Sequence, residues 1–384
     1  MKALLLSITA GQGHHATAEA IENGFKQIGV ESKFIDAYEY IEPRLKRAVS
    51  TAYSFNAAYN KRVYSLAYGI SVKKTSRVSK YSLPKIMNSL MANELRKCIL
   101  EEKPDVIVCT HIFPATMINI LLERDKLDVL TVAVLTDFTL HPFWEEIGLI
   151  DYYVTPSELI EYQIIKKGLD PNKQLPFGIP IKAKFNERMP KAEAKKLLGL
   201  DPDKHTILLM SGSMGYGKID KSIEELDGLP FDFQTIVVCG NNKRQLRKIK
   251  SVSKKKRFDV YGYVDNVDVM MDAADCIITK PGGITSSEAI SKGLPMIMSN
   301  PIPGQEDRNV DFMLNNGLAL YASKTFPLDE AVYYLFKNPN RLNEIKTAME
   351  AYRKEYPTER LCQFLKDNFD SKSCEIPETE KKEI

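Results

Sequence analysis

Histidine is scarce in this chain of 384 residues: there are five, at positions 14, 15, 111, 141 and 205, beside a single tryptophan, Trp144. No stretch reaches the ~18 uninterrupted apolar residues a membrane span needs. The N-terminus enters a strand-like run at once, without the blocks of a signal peptide. Any membrane contact is therefore expected to be peripheral. The six cysteines (98, 109, 239, 276, 362 and 374) form no CxxC pair, and several lie in apolar runs. That usage suits reduced thiols acting as small hydrophobes in a cytoplasmic protein. No HExxH or similar metal spacing occurs. A formal net charge of +3 is too small to call for a nucleic-acid partner. One absence is local: from Pro43 to Asn93 there is no Asp or Glu.

Short Val, Ile and Leu runs alternate with longer segments of helical period, the pattern of βα units around parallel sheets. Strands are expected at 3–8, 32–36, 105–109, 129–135 and 151–154, and again at 206–211, 234–239, 258–262, 275–279 and 295–298. The pattern runs twice, and the length exceeds what one core usually serves, so two α/β domains are expected. Between them "LPFGIPIKAKFNERMP" (175–190) carries three prolines and a glycine, as a crossing linker would. The resulting division is 1–180, 181–345, C-terminal helices at 346–369 that return to the first domain, and a polar, disordered tail at 370–384.

Two glycine turns follow strands. In "SITAGQGHHATAEAI", Gly11 and Gly13 turn the chain into a helix starting near His14. Its backbone N–H groups and dipole suit an anion or a developing negative charge. Gly11-x-Gly13-x-x-Ala16, with Asp36 at the end of the second strand, also fits a dinucleotide fingerprint, so an NAD-dependent oxidoreductase is one alternative. In "TKPGGITSSEAISKG", a Pro-Gly-Gly loop opens a helix whose first turn holds Thr285, Ser286 and Ser287. Bare backbone, hydroxyls and a helix N-terminus make a diphosphate cradle without a metal. One turn on, Glu288 is placed to accept from ribose hydroxyls. An ordinary capped βα turn is the plain alternative.

His14, His111, His141 and Asp137 each follow the carboxyl end of an expected strand, where open parallel sheets bind ligands. A neutral histidine beside a carboxylate suits general-base work. A zinc site from the same four residues lacks any supporting spacing, and His111 and His141 could instead serve their own loops. The DxD at 201–203 reads as a surface turn. The acid-free stretch carries ten basic residues, among them Arg44, Lys46, Arg47, Lys61, Arg62, Lys73 and Lys74, with Tyr53 and other aromatics interleaved. Such a surface fits an anionic membrane; RNA, or a merely solvated face, are the alternatives.

Six stretches in order, "SITAGQGHHATAEAI", "TDFTLHPFW", "MSGSMGYGK", "VVCGNNK", "YGYVDNVDVMMDAADCIITKPGGITSSEAISKGLP" and "PGQEDRN", resemble the diacylglycerol glycosyltransferases over residues 1–365. That family comprises bacterial glucosyltransferases and monogalactosyldiacylglycerol synthases. The resemblance implies a GT-B fold of two facing Rossmann-like domains and inverting transfer of a hexose, glucose before galactose, from UDP-glucose or UDP-galactose to diacylglycerol. No bound cofactor or metal is implied. The chain would sit peripherally on the inner, cytoplasmic face of the membrane. By the same resemblance His14 is the proposed base, with His15 beside it as the alternative, and Asp137 and His141 nearby. Gly13 and His111 fall on the acceptor side. Gly212, Ser213 and Gly215 would approach the diphosphate and the backbone around Tyr263 the uracil. Gly282, Gly283, Thr285 and Ser286 would hold phosphates, Glu288 the ribose, and Gln305, Glu306 and Asn309 the sugar. A noncatalytic nucleotide-sugar or lipid-binding protein would share all of this except a working base.

Overall fold

A computed structural model of the protein describes residues 1–9, 12–41, 83–125, 127–212, 219–251 and 254–375. The first sheet comprises β1 (Lys2–Ser7), β2 (Glu31–Asp36), β3 (Val106–Cys109), β4 (Leu130–Val134), β5 (Tyr152–Val154) and β6 (Gln174–Leu175), in the order β2-β1-β3-β4-β5-β6. The second comprises β7 (Thr206–Met210), β8 (Gln234–Val238), β9 (Arg257–Tyr261), β10 (Cys276–Thr279), β11 (Met296–Met298) and β12 (Ala319–Tyr321), in the order β12-β11-β10-β7-β8-β9. Neighbouring strands in both sheets are parallel.

The strands are apolar on both faces because helices cover both, as parallel sheets require. Ala3 and Leu5 of β1 join Val106, Val108, Val132 and Val134 on one face, under Ile21 and Phe25 of the helix Gln12–Gln27. Leu4 and Leu6 point the other way, with Ile107, Cys109 and Ala133, toward Ala92 and Leu95 of Leu83–Glu102 and Ile118 of Ile112–Asp125. The last helix, Pro357–Glu375, closes the first face with Leu361, Cys362 and Leu365. Gly24 permits this crossing: a Cβ there would lie 2.8 Å from Cys362 Sγ and 2.9 Å from Thr358 Cγ2.

Several boundaries differ from the sequence expectation. β6 and β12 have two and three residues, too short to show a period. The helix Pro339–Tyr352 passes residue 345 unbroken and buries Ile345 and Met349 with the second domain. The crossover therefore falls at Arg353–Tyr356, where Tyr356 takes a φ of +47°, rather than after 345. The final helix runs to Glu375, so the expected tail does not begin at 370. The stretch 175–190 contains one 3-10 turn, Ala183–Phe185, and buries Ile179, Ile181 and Phe185. No helix among the described residues is long and apolar enough to cross a membrane.

Candidate functional site

The loops at the carboxyl ends of β1 and β4 meet those after β10 and β11. Gly13 sits against Ile284: a Cβ on Gly13 would come 3.2 Å from Ile284 Cγ1. Gly283, the first residue of the helix Gly283–Lys292, has no room for a side chain, because a Cβ there would collide with the Thr136 carbonyl oxygen. A turn whose local sequence only asked for flexibility is thus glycine because two domains touch there.

His14 lies in the first turn of Gln12–Gln27. Its Nδ1 is 3.0 Å from the Thr110 carbonyl, which can only accept, so Nδ1 carries the proton and Nε2 the lone pair. Thr136 Oγ1 lies 2.9 Å from the same Nδ1, and Thr110 Oγ1 donates to the His14 carbonyl at 3.0 Å. Burial pushes the imidazole pKa down to about 4; the Thr110 carbonyl opposes this and the neighbouring His15 adds to it. His14 is therefore neutral at pH 7, with Nε2 free of any hydrogen bond among the described residues.

His15 is built differently. Its Nδ1 meets Ser7 Oγ and its Nε2 meets Thr9 Oγ1, both at 2.9 Å, with Asp36 Oδ2 at 3.2 Å from Nε2. Asp36 accepts from the Thr9 hydroxyl and from the Tyr38 (3.0 Å) and Glu39 (3.3 Å) N–H groups. Burial disfavours its charge, but the bonds from His15 and Thr9 outweigh this and hold its pKa at about 2. This network uses both His15 nitrogens and the acid that a dinucleotide ribose would need. The oxidoreductase reading loses its support there, and the two histidines differ in that His15 has a hydrogen bond at both ring nitrogens and His14 at Nδ1 alone among the described residues.

The other candidates divide. His111 stacks edge-on against His14, ring centroids 4.4 Å apart, and its Nδ1 accepts from the Phe113 N–H at 3.1 Å. His141 Nδ1 accepts from the Phe143 N–H at 3.3 Å, capping the 3-10 turn Pro142–Glu146. Burial lowers both pKa values, that of His141 to about 4. Among the described residues no three metal-ligating side chains converge. Asp137 makes no hydrogen bond to His14 among the described residues. It accepts from Asn309 Nδ2 at 2.8 Å across the cleft, and burial lifts its pKa to about 6. The orienting groups are Thr110 and Thr136 instead.

On the second domain, Gly282 caps the helix that follows β10. The hydroxyls of Ser286 and Thr279 are buried without a hydrogen-bond partner among the described residues, an arrangement that costs stability unless a ligand completes it. Ser287, by contrast, donates to the Gly283 carbonyl at 2.8 Å. Thr285 is half-buried. Burial raises Glu288 to about 8, against Lys182 and Lys184. Gly212, two residues past β7, has φ +71°, and Tyr263, just past β9, is exposed. Ser213 and Gly215 lie outside the described residues, as do Arg44, Lys46, Arg47, Tyr53, Lys61, Arg62, Lys73 and Lys74.

Gln305 and Asn309 both bond to the β4 loop of the opposite domain. Gln305 Nε2 donates to the Thr139 carbonyl at 2.9 Å, and Asn309 also accepts from the Phe138 N–H at 3.0 Å and donates to the Pro281 carbonyl at 3.0 Å. Arg308 Nε adds a bond to Thr139 Oγ1 at 3.2 Å. Glu306 accepts from Lys280 Nζ at 2.8 Å and from the Ile302 N–H at 2.7 Å. Lys280 was not anticipated from the sequence. Its Cε is 3.3 Å from a Cβ built on Gly212 and 4.0 Å from one on Gly282, so its stem lies between both glycine turns of the cradle. The signal was available: a lysine directly after a strand, before Pro-Gly-Gly.

Comparison with known proteins agrees with this layout. A family profile described as monogalactosyldiacylglycerol (MGDG) synthase matches residues 14–181, and one described as glycosyl transferases group 1 matches 192–352. The chain is 30% identical to the processive diacylglycerol beta-glucosyltransferase of Bacillus licheniformis, covering 89% of this chain and 88% of that protein. It is also 30% identical to the chloroplastic monogalactosyldiacylglycerol synthase of Spinacia oleracea, over 84% of this chain and 63% of that protein. Among solved structures, Acinetobacter baumannii MurG superposes with a TM-score of 0.61 at 11% identity, covering 95% of this chain and 99% of that one. Anabaena HepE in complex with UDP-glucose superposes with 0.54 at 12%, covering 97% of this chain and 100% of that one. These two share the GT-B fold of facing parallel-sheet domains. On the relative from Bacillus licheniformis and the two profiles together, the chain belongs to the diacylglycerol glycosyltransferase family, which includes the processive glucosyltransferases and the monogalactosyldiacylglycerol synthases.

Proposed function

We propose that the protein transfers a hexose, glucose in preference to galactose, from a UDP-sugar to diacylglycerol, giving a β-linked glycolipid at the inner face of the membrane. The observation that carries this reading is the meeting of His14, its Nε2 lone pair free, with the Gly282–Ser286 cradle through the Gly283–Thr136 contact. Nε2 takes the proton of the acceptor hydroxyl as its oxygen bonds to the anomeric carbon. The bond from that carbon to the diphosphate oxygen breaks, and its electrons pass to the UDP leaving group. The helix N-terminus at Gly283, the Ser286 hydroxyl and Lys280 stabilise that charge. Attack opposite the leaving group inverts the centre, which gives the β-linkage from an α-linked donor.

In the free protein the base is weak because it is buried. The bound diphosphate would favour the imidazolium and draw the pKa back toward neutrality, so the base strengthens when the donor is in place. Donor entry must part the loops that Asn309 and Gln305 now hold, and closure would exclude the water that otherwise hydrolyses the donor. The names of the relatives support diacylglycerol as acceptor, and the UDP-glucose complex of HepE supports the donor class. The preference for glucose follows the bacterial relatives. The basic stretch from Arg44 to Lys74 is assigned to the membrane on its composition.

The test is release of UDP from UDP-glucose and, separately, UDP-galactose, with and without diacylglycerol in anionic micelles and with EDTA present. Lipid-dependent release, faster with UDP-glucose, is expected. UDP binding with no release from either donor would leave a noncatalytic binder.

A further inference from the structure

A second one-sign region lies in the donor domain. Between Lys243 and Arg257 the sequence has nine Lys or Arg and no Asp or Glu. The helix Lys243–Lys250 buries Ile249 and half-buries Leu246, which packs by Gly262 beyond β9. Its opposite face presents Arg244, Arg247 and Lys248, flanked by Lys243 and Lys250, all exposed.

Four of the nine have structural work. Lys248 pairs with Asp220, and Lys254 donates to the Ile249 carbonyl at 2.6 Å at the helix end. Lys256 donates to the Leu229 carbonyl at 2.7 Å and lies over the Phe233 ring, and Arg257 pairs with Asp259 at 2.8 Å. The remaining five, Lys243, Arg244, Arg247, Lys250 and Lys255, make no ion pair or side-chain hydrogen bond among the described residues. Arg247 and Lys250 suit the last turn of the helix, but the two at its start do not. Lys243 and Arg244 stand at the positive end of its dipole with no acid in the first turn. Lys243 with Arg247, and Arg244 with Lys248, are like charges four residues apart.

We infer that this face, Lys243, Arg244, Arg247, Lys250 and Lys255, is a second docking surface, on the donor domain, for an anionic phospholipid bilayer. The inference rests on the reading that the acceptor is a membrane lipid. Charge is the complement a lipid surface supplies. The stretch 243–257 contains no aromatic residue on which nucleic-acid bases could stack, as single-strand binders use. The position also fits. Because β11 loops meet the β4 loop, while the β10 loop reaches both β4 and β1, the β9 edge of the second sheet falls on the same flank as the β2 edge of the first. Beyond β2 the sequence enters its acid-free stretch. A bilayer along that flank would hold both domains, orienting the cleft toward the membrane plane.

The test uses the full chain with Lys243, Arg244, Arg247, Lys250 and Lys255 all replaced by Gln. Cosedimentation with vesicles of phosphatidylcholine, and of phosphatidylcholine with phosphatidylglycerol, is read without donor or turnover. The variant's partition onto anionic vesicles should fall on the order of a thousandfold, with UDP affinity and partition onto neutral vesicles unchanged. A companion carrying Lys243→Arg, Lys250→Arg and Lys255→Arg keeps the charge and should bind as the parent does. Unchanged anionic partition in the Gln variant would overturn the inference. So would loss of binding to an RNA oligonucleotide with vesicle binding intact. If vesicle binding falls as stated but the parent makes no glycolipid, the surface stands and the proposed reaction fails.

Discussion

Two strand–glycine–helix turns, at 11–16 and 281–286, look alike in sequence and are finished in opposite ways. At the first, the His15 ring has partners at both nitrogens: Ser7, Thr9 and Asp36 complete it, and Asp36 is completed in turn by two backbone N–H groups. At the second, the Ser286 and Thr279 hydroxyls are buried without partners among the described residues, beside a lysine threaded between two glycine turns. A glycine turn alone does not mark a ligand site; two incomplete hydroxyls beside the same turn make the second the stronger candidate. His14, on the first turn, has its Nδ1 committed to the Thr110 carbonyl and no hydrogen bond at Nε2 among the described residues.

The sharpest way to break this contrast is to remove the adjacent histidines one at a time. His14→Ala should lower turnover by about 10²–10⁴-fold and leave UDP affinity, read by calorimetry, unchanged. His15→Ala should leave turnover per folded molecule near the parent's and cost roughly 1–3 kcal/mol of stability in urea unfolding. Equal catalytic losses would dissolve the distinction. Lys280→Met comes next: losing a charge-assisted contact of about 1.5–3 kcal/mol should weaken UDP binding some 10- to 100-fold, seen in the same titration.

Acid should separate the turns as well. The Asp36 carboxyl titrates at about 2 in the folded chain against an ordinary 3.8, so between those values the unfolded chain holds more protons. Its contribution, about 2 kcal/mol, is present above about pH 4 and lost as pH falls through about 2. Asp36→Asn should therefore be less stable than the parent at neutral pH, with the gap closing in acid unfolding curves; a gap constant with pH would contradict the network. The smallest effect is at Ser286. Removing its hydroxyl, which has no partner among the described residues, in Ser286→Ala should raise stability slightly while weakening UDP binding by about 1 kcal/mol, a trade that a merely structural hydroxyl would not show.

Much of the scaffold was legible because βα units declare themselves by local period. β1, β4, β7 and β10 lie close to where their apolar runs placed them, and the candidate residues follow their carboxyl ends. What was illegible depends on contacts remote in sequence. Asp137 is bonded to Asn309, and Phe138 to the same amide; nothing near residue 137 announces a partner on the other domain. Gly283 looked like a flexible phosphate turn, and its closest constraint is the Thr136 carbonyl. The unbroken helix through residue 345 hid the crossover at Arg353–Tyr356, because helical period continues where packing partners change.

The most direct test of the central claim is the anomeric configuration of the product formed from UDP-glucose and diacylglycerol, read from the coupling of the anomeric proton by NMR. In-line attack by the His14-deprotonated hydroxyl predicts a β-glucoside. An α-glucoside, or no glycolipid from a preparation that binds UDP, would contradict it.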